Sequence, residues 1–535
     1  MMTKVHKFGL RLGAVTIAAM TVAICAAQTG GSTSTALPWP AAGNDLSNSR
    51  NQPSETTIGP ANISSLTTKW VFQTGGDVSA TPTVGATAIF FPDWAGNLYA
   101  VNKVTGKAIW SAQISNYDGS PNAVSRVSPA LYGTDLIVGD IAGAGQVHDG
   151  ARIMAINQQS GGLHWMTQVE TNQAAVITGS PVVVGSTAIV GVSSSEEGLA
   201  DTPGYVCCTF RGSLVALDAN TGKILWKTYT VPDNGGQPGG YSGGAIWQPP
   251  AIDSLQGIVY IGTGNNYSVP ESVSTCQSKV SAGMVMSCTD AADYFDSALA
   301  VDLQTGGIVW SKQLHGYDVW TVACIDAKTG VTCPSPAGPD YDLSGSGPNL
   351  LQGLIGFGQK SGIYWGLDPA TGDIAWGTPV GPGSTLGGIE WGTASDGQRI
   401  YVAIANNSHD AYKLMPGGDT ITWGSWSALD PRTGKILWQT ADPSKGAIDT
   451  GAVSVANGVV YAGSYSGLMY AMNARTGSIL WSFESGGSVI DGPAIADGVV
   501  YWGAGYSHIA PGKPNNQVFA FAPATLASQS LARRQ

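Results

Sequence analysis

Two cysteines stand side by side in GYVCCTFRG (residues 204–212), in a chain with 7 cysteines among 535 residues. Adjacent cysteines do not match the spaced pairs of a structural zinc site. They can close a small strained disulfide ring with each other, or each can bond elsewhere. Other chemistry-bearing motifs are missing from the chain: there is no CxxCH for covalent haem, no GxGxxG in a βαβ setting and no nucleophile elbow, and the histidines lack metal spacing. Nicotinamide chemistry is therefore unsupported. What remains is a set of short loops: SSSEEG with Glu196 and Glu197, IGTGNNY with Asn265, LHGYDVW with Asp318 and GQKSG with Lys360. Their side chains offer acid–base groups and hard oxygen donors. Taken alone, two glutamates in a loop read as a solvated turn and a lysine as a surface one. What these groups do depends on the elements that bring them together.

Those elements repeat. AVNKVTGKAIW ends at Trp110, AINQQSGGLHW at Trp165, ALDANTGKILW at Trp226, AVDLQTGGIVW at Trp310, GLDPATGDIAW at Trp376, ALDPRTGKILW at Trp438 and AMNARTGSILW at Trp481. Each unit reads as a strand, a hairpin turn at Asp/Asn-x-x-Thr/Ser-Gly, and a second strand carrying the indole. The mean spacing of about 62 residues suits one four-stranded propeller blade with its loops. An eighth unit is split: VFAFAPATL near the end has the front of the motif, and TKWVFQTGG near the start has the Trp70 strand. Joining them predicts an all-β, eight-bladed β-propeller over residues 66–526, with tryptophan docking and a ring closed by the N- and C-terminal strands. An extended segment (28–65) precedes it and a tail (527–535) follows.

The first residues predict export. Lys4, Lys7 and Arg11 stand ahead of an apolar run and then a polar stretch, the layout of a signal peptide over residues 1–27. The run is too short for a transmembrane span. A lipid anchor would use Cys25, but Ile24 before it is too bulky for the usual signal. The expected location is periplasmic or secreted, where disulfides persist. Net charge is -11, and removing the three signal cations takes it to -14. With no basic stripe, nucleic acid is excluded as a partner. The spacings of Cys276 to Cys288 and Cys324 to Cys333 suit two local bridges.

The motifs, in their joint order, resemble the quinoprotein alcohol dehydrogenases, eight-bladed enzymes that use pyrroloquinoline quinone (PQQ) and calcium. CCTFRGSLVALD, LHGYDVW and GQKSGIYWGLD resemble the polyvinyl-alcohol dehydrogenase branch. The resemblance implies Glu196 (with Glu197 as the fallback), Asn265 and Asp318 as calcium ligands. Asp318, 53 residues after Asn265, would also be the catalytic base, assisting hydride transfer from the alcohol carbon to the quinone while calcium polarises its oxygen. Lys360 matches the cation at the quinone oxygens. Trp247, 18 residues before Asn265, matches the floor under the ring. Thr178 and Ser193 match hydroxyls on its carboxylates, and Arg126 is the candidate rim arginine. Cys207–Cys208 matches the vicinal disulfide that roofs the quinone, though here the pair follows Glu196 by 11 residues instead of preceding the glutamate. A second departure is Glu390 in GGIEWGT, where relatives often carry Asn before the tryptophan; a carboxylate there is unfavourable beside an anionic cofactor unless it turns away or pairs. The expected function is oxidation of secondary alcohols, including polyvinyl alcohol or similar polymers, to ketones, with electrons passed to a separate cytochrome c or other acceptor. The alternative is a cofactor-free propeller acting as a binding or outer-membrane assembly scaffold.

Overall fold

A computed structural model describes residues 38–142, 149–280, 288–325 and 328–524. The signal peptide with Cys25 and the tail 527–535 lie outside the described residues. Among the described residues, eight blades of four antiparallel strands follow one another along the chain, as the repeats predicted, and two of them gain a short fifth strand. They are numbered here as blades 1–8 from their innermost strands: Thr83–Val84, Ala130–Tyr132, Val182–Val184, Ala251–Asp253, Pro348–Leu350, Ala394–Ser395, Val453–Ala456 and Ala494–Ala496. Blade 8 takes its outer strand, Leu66–Gln73, from the other end of the chain, paired with Gln517–Pro523.

Blade 3 shows why the sequence folds this way. Its middle strands, Thr187–Ser194 and Ser213–Asp218, are buried almost throughout, because neighbouring blades cover both faces. The outer strand, Ile224–Tyr229, reaches solvent. At the turn, Asp218 Oδ1 accepts the backbone N–H groups of Asn220 and Thr221 at 2.8 and 3.1 Å, an Asx turn. A register shift after Ala216 then sets the small side chain directly across from Trp226.

The indoles join the blades. Trp110, Trp165, Trp226, Trp310 and Trp438 donate Nε1–H, at 2.9–3.1 Å, to a carbonyl in the next blade's turn. Trp481 donates to Leu66 and Trp70 to Lys103, both at 3.2 Å, so the ring closes through the split blade. Each bond contributes about 1 kcal/mol net. The turn glycine is obligatory twice over: Gly222 has φ +73°, and a Cβ there would lie 2.4 Å from the Trp165 ring.

Residues 38–52 belong to this body instead of trailing from it. Trp39, fully buried, pairs with Val84 of blade 1. The carbonyls of Pro40, Leu46, Ser47, Ser49 and Arg50 then accept N–H groups from Leu131, Ile252, Leu350, Ser395 and Val455, in blades 2, 4, 5, 6 and 7. Gln52 Nε2 donates to Ile495 of blade 8 at 3.3 Å. The segment thus winds around the inner channel and satisfies the free edges of the innermost strands.

Candidate functional site

Two sets of positions converge on the channel mouth. One lies four residues before the innermost strand: Arg126, Thr178, Trp247, Ser344 and Glu390 hold this place in blades 2 to 6. The other follows the second strand: Glu197, Asn265 and Lys360 in blades 3, 4 and 5. Because every blade repeats the same path to the axis, equivalent positions form rings of side chains. Together, with Ser344 excepted, they line a cavity of about 500 Å³.

Two indoles and two cations shape it. Trp247 and Trp391 meet edge to face, with centroids 5.4 Å apart. Gly345 gives the Trp247 ring room, since a Cβ there would sit 3.3 Å from it. Lys360 Nζ lies 5.5 Å from the Trp247 ring centroid. The Arg126 guanidinium lies over Trp391 at 4.4 Å, with Trp94 and Tyr506 beside it at 5.5 and 5.7 Å. No ion pair to Arg126 occurs among the described residues, so its charge faces the cavity held by aromatic surfaces. Thr178 Oγ1 is buried without a partner, and Ser193 adds a second hydroxyl.

Around Lys360 the wall is acidic. Lys360 Nζ bridges Asp340 Oδ1 at 3.0 Å and Asp342 Oδ2 at 2.9 Å. Asp342 Oδ1 accepts the backbone N–H of Asn265 at 2.6 Å, which spends both its oxygens. Asn265 Nδ2 donates to the carbonyls of Asn266 and Trp320, leaving Oδ1 without a partner among the described residues. Glu197 Oε1 and Asp340 Oδ2 are buried and unpartnered. Burial, with Asp342 and Asp318 nearby, pushes the Glu197 carboxyl up to about 8, against the pull of Lys360. Burial likewise raises Asp340 well above the carboxylate range. Burial works against the Lys360 ammonium too, but Asp340 and Asp342 outweigh it and hold the charge.

Four expected site residues sit elsewhere. Glu196 turns from the cavity: its carboxylate accepts the backbone N–H groups of Thr209 and Phe210 at 2.8 and 2.7 Å and the Tyr205 hydroxyl at 3.0 Å. The glutamates open the short helix Glu196–Leu199, where adjacent side chains point about 100° apart, so only Glu197 faces the cavity. Asp318 is fully buried behind the wall, and its carboxylate accepts the N–H groups of Asp340 and Tyr341 at 3.1 and 2.7 Å. Cys207 and Cys208 are bonded to each other, but Cys207 lines a neighbouring cavity instead. The other two bridges, Cys276–Cys288 and Cys324–Cys333, are formed as their spacing predicted. Asp340 and Asp342 went unnoticed in sequence; the signal was a carboxylate pair, DYD, in the approach to blade 5.

Glu390 does not turn away, and among the described residues it forms no close ion pair. It is buried in the cavity wall, where burial and Asp342 raise its carboxyl to about 7 while Lys360 and Arg126 pull it down.

Residues 39–328 match the family profile described as "Glucose/ethanol/alcohol dehydrogenase, beta-propeller domain". The polyvinylalcohol dehydrogenase of a Sphingopyxis species is 34% identical over 491 residues, covering 84% of this chain and 69% of that protein. The chain belongs to this PQQ dehydrogenase family. A polyvinylalcohol dehydrogenase of a Pseudomonas species is 31% identical, covering 89% of this chain and 74% of that protein. In fold the chain is similar to the quinohemoprotein alcohol dehydrogenase ADHIIG of Pseudomonas putida, with TM-score 0.68, 20% identity, and 91% and 80% of the two chains covered. The europium-containing methanol dehydrogenase follows at TM-score 0.63 and 17% identity, covering 91% and 98%. Residues 424–527 also match the profile "Outer membrane protein assembly factor BamB", a stretch holding the last docking repeats and, of the cavity lining, His508 and Ile509. The protein is a quinoprotein alcohol dehydrogenase.

Glu390 apart, the cavity residues fit the cofactors of that family. A flat ring bearing carboxylates finds the Trp247 indole, the Arg126 cation and the orphaned Thr178 hydroxyl. A hard cation finds the unpartnered oxygens of Glu197, Asp340 and Asn265, and would offset the burial, and the lesser repulsion from Asp342, that raise the two carboxyls. Among the described residues no three His, Cys, Asp or Glu side chains form a ready cage. The fitting set is therefore two carboxylates, one amide and whatever the cofactor adds.

Proposed function

We propose that this protein oxidises secondary alcohols to ketones in a calcium-dependent reaction, with Glu197, Asn265 and Asp340 as the protein's calcium ligands. The observation that carries the reading is the convergence of these three on Lys360, in one cavity with Arg126 and Trp247. When bound, PQQ supplies a two-electron acceptor and calcium a Lewis acid. Asp340 takes the proton of the substrate hydroxyl through Oδ2, the oxygen that Lys360 leaves free. Asp342 ties Asn265 to Lys360 and holds both at their distances. Asp318 acts as a positioning residue, since it pins the backbone of Asp340, whose φ of 64° is left-handed and needs support. Arg126, Thr178 and Ser193 orient the cofactor's carboxylates, and the indoles of Trp247 and Trp391 exclude water from its faces. The vicinal disulfide braces the loop that Glu196 grips, next to the site and not over it.

The two polyvinylalcohol dehydrogenases support secondary alcohols along a polymer as the substrate. With no CxxCH in the chain, electrons pass to a separate acceptor such as a cytochrome c. Three disulfides suit an oxidising compartment, in keeping with an exported, periplasmic enzyme. Reconstitution tests the reading: purified chain, PQQ and calcium, with dye reduction followed on a panel of secondary alcohols. Turnover should need both additions and fall by about 100-fold or more in Asp340→Asn. If PQQ does not co-elute with the protein in gel filtration, the cofactor assignment fails.

A further inference from the structure

A second cavity, of about 580 Å³, adjoins the first. Pockets of roughly 300–1,000 Å³ are the usual size for holding a small ligand or a segment of a larger one. Tyr267 lines both cavities. The chain at 319–322 divides them: Val319 and Thr321 face the second cavity, Trp320 and Val322 the first. All three disulfides brace its walls. Cys207 and Cys333 line it directly, and Cys276 sits on the helix Glu271–Gln277 that contributes Ser274.

The chemistry of the lining is unusual in a protein with net charge -11. Among the described residues, none that lines it is Asp, Glu, Lys, Arg or His. Thr202, Tyr205, Tyr267, Ser274, Tyr317 and Thr321 bring hydroxyls, and Val206, Val269, Val319 and Val331 bring hydrocarbon. Thr321 is only 2% exposed, yet its Oγ1 has no hydrogen-bond partner. Leaving such a group unmet costs about 1–3 kcal/mol, which a ligand hydroxyl would recover. Val206 is 70% exposed at the same cavity, a large apolar side chain that a hydrocarbon stem would cover.

We propose that this cavity is a binding subsite for an uncharged chain that carries secondary hydroxyls on a hydrocarbon backbone, gripping the segment next to the carbon being oxidised. The inference rests on the proposed alcohol oxidation but names a separate place and a separate binding event. An ionic polymer finds no counter-charge among the described lining residues. A compact alcohol occupies the first cavity alone and gains nothing from the second.

The test separates binding from turnover. Calorimetric titration of the full chain without PQQ uses a short vinyl-alcohol oligomer, with 2-butanol, a maltooligosaccharide and an oligoethylene glycol as comparison probes. The oligomer should bind and the other three should bind at least tenfold more weakly. Thr321→Val should weaken oligomer binding roughly three- to tenfold, the worth of one hydrogen bond. Ser274→Trp, which fills the cavity from the helix, should abolish it; circular dichroism shows that both variants are folded. In reconstituted enzyme, both substitutions should lower the ratio of kcat/KM for the oligomer to that for 2-butanol. No binding by wild type, or equal binding by Thr321→Val and wild type, overturns the subsite. Equal affinity for the maltooligosaccharide overturns the hydrocarbon backbone. Oligomer binding without any turnover leaves the subsite standing and removes the proposed reaction.

Discussion

Replacing Glu390 with glutamine should flatten the pH dependence of stability in the cofactor-free protein. Burial, helped by Asp342, raises this carboxyl from about 4.5 to about 7. Between those two values the folded protein keeps a proton that the unfolded chain has released. Stability from this group is therefore full below pH 4.5, falls as pH rises through the window, and is lost above about 7. At about 1.4 kcal/mol per pH unit, the gap amounts to about 3 kcal/mol. An unfolding entropy of about 2.1 cal/mol/K per residue over 535 residues is about 1.1 kcal/mol/K, so the loss corresponds to about 3 °C in Tm. The assay is thermal unfolding of wild type and Glu390→Gln from pH 4.5 to 7.5, at fixed ionic strength and scan rate. Wild type should lose about 3 °C more than the variant across that range. Parallel Tm curves for the two proteins would refute the reasoning, because the carboxyl would then titrate alike in both states.

Asp340→Asn should lower kcat by about 100-fold or more in reconstituted enzyme, the usual worth of a general base. Asp318→Asn should stay within about tenfold; equal loss in both variants, with the fold intact, would return the base role to Asp318. Gly222→Ala should destabilise by at least about 2 kcal/mol, from the left-handed backbone and the Trp165 contact together, whereas Gly185→Ala, with φ +58° and open space, should cost about 1 kcal/mol by denaturant titration. Removing residues 38–52 should leave a chain that unfolds several degrees lower or does not fold, since seven blades lose a hydrogen bond to it. Chelation of calcium should abolish PQQ-dependent dye reduction, and added calcium should raise the Tm of wild type more than that of Glu197→Gln.

The blade count was legible because each blade is written locally. A strand, an Asx turn, one glycine and one tryptophan lie within about eleven residues, and seven near-copies leave little room for another periodicity. Ring closure was legible too, since VFAFAPATL lacks a tryptophan and TKWVFQTGG supplies one. Arg126, Thr178, Ser193, Trp247, Asn265 and Lys360 could be read in order and do line one cavity, because rigid strands deliver them at a fixed offset from the axis.

What the tertiary structure decided lies where that local rule lapses. Whether Glu196 or Glu197 faces the cavity depends on one step around a helical turn, which the loop at 205–210 settles by saturating Glu196. The stretch from Asp318 to Asp340 carries its own disulfide and no repeat, so spacing along the chain says nothing about which carboxylate returns to the axis. Residues 38–52 have no periodicity at all; their conformation exists only because the assembled ring presents unpaired strand edges for them to bond. Local pattern determines the blades. Contacts between residues far apart in the chain determine which side chains stand in the space the blades enclose.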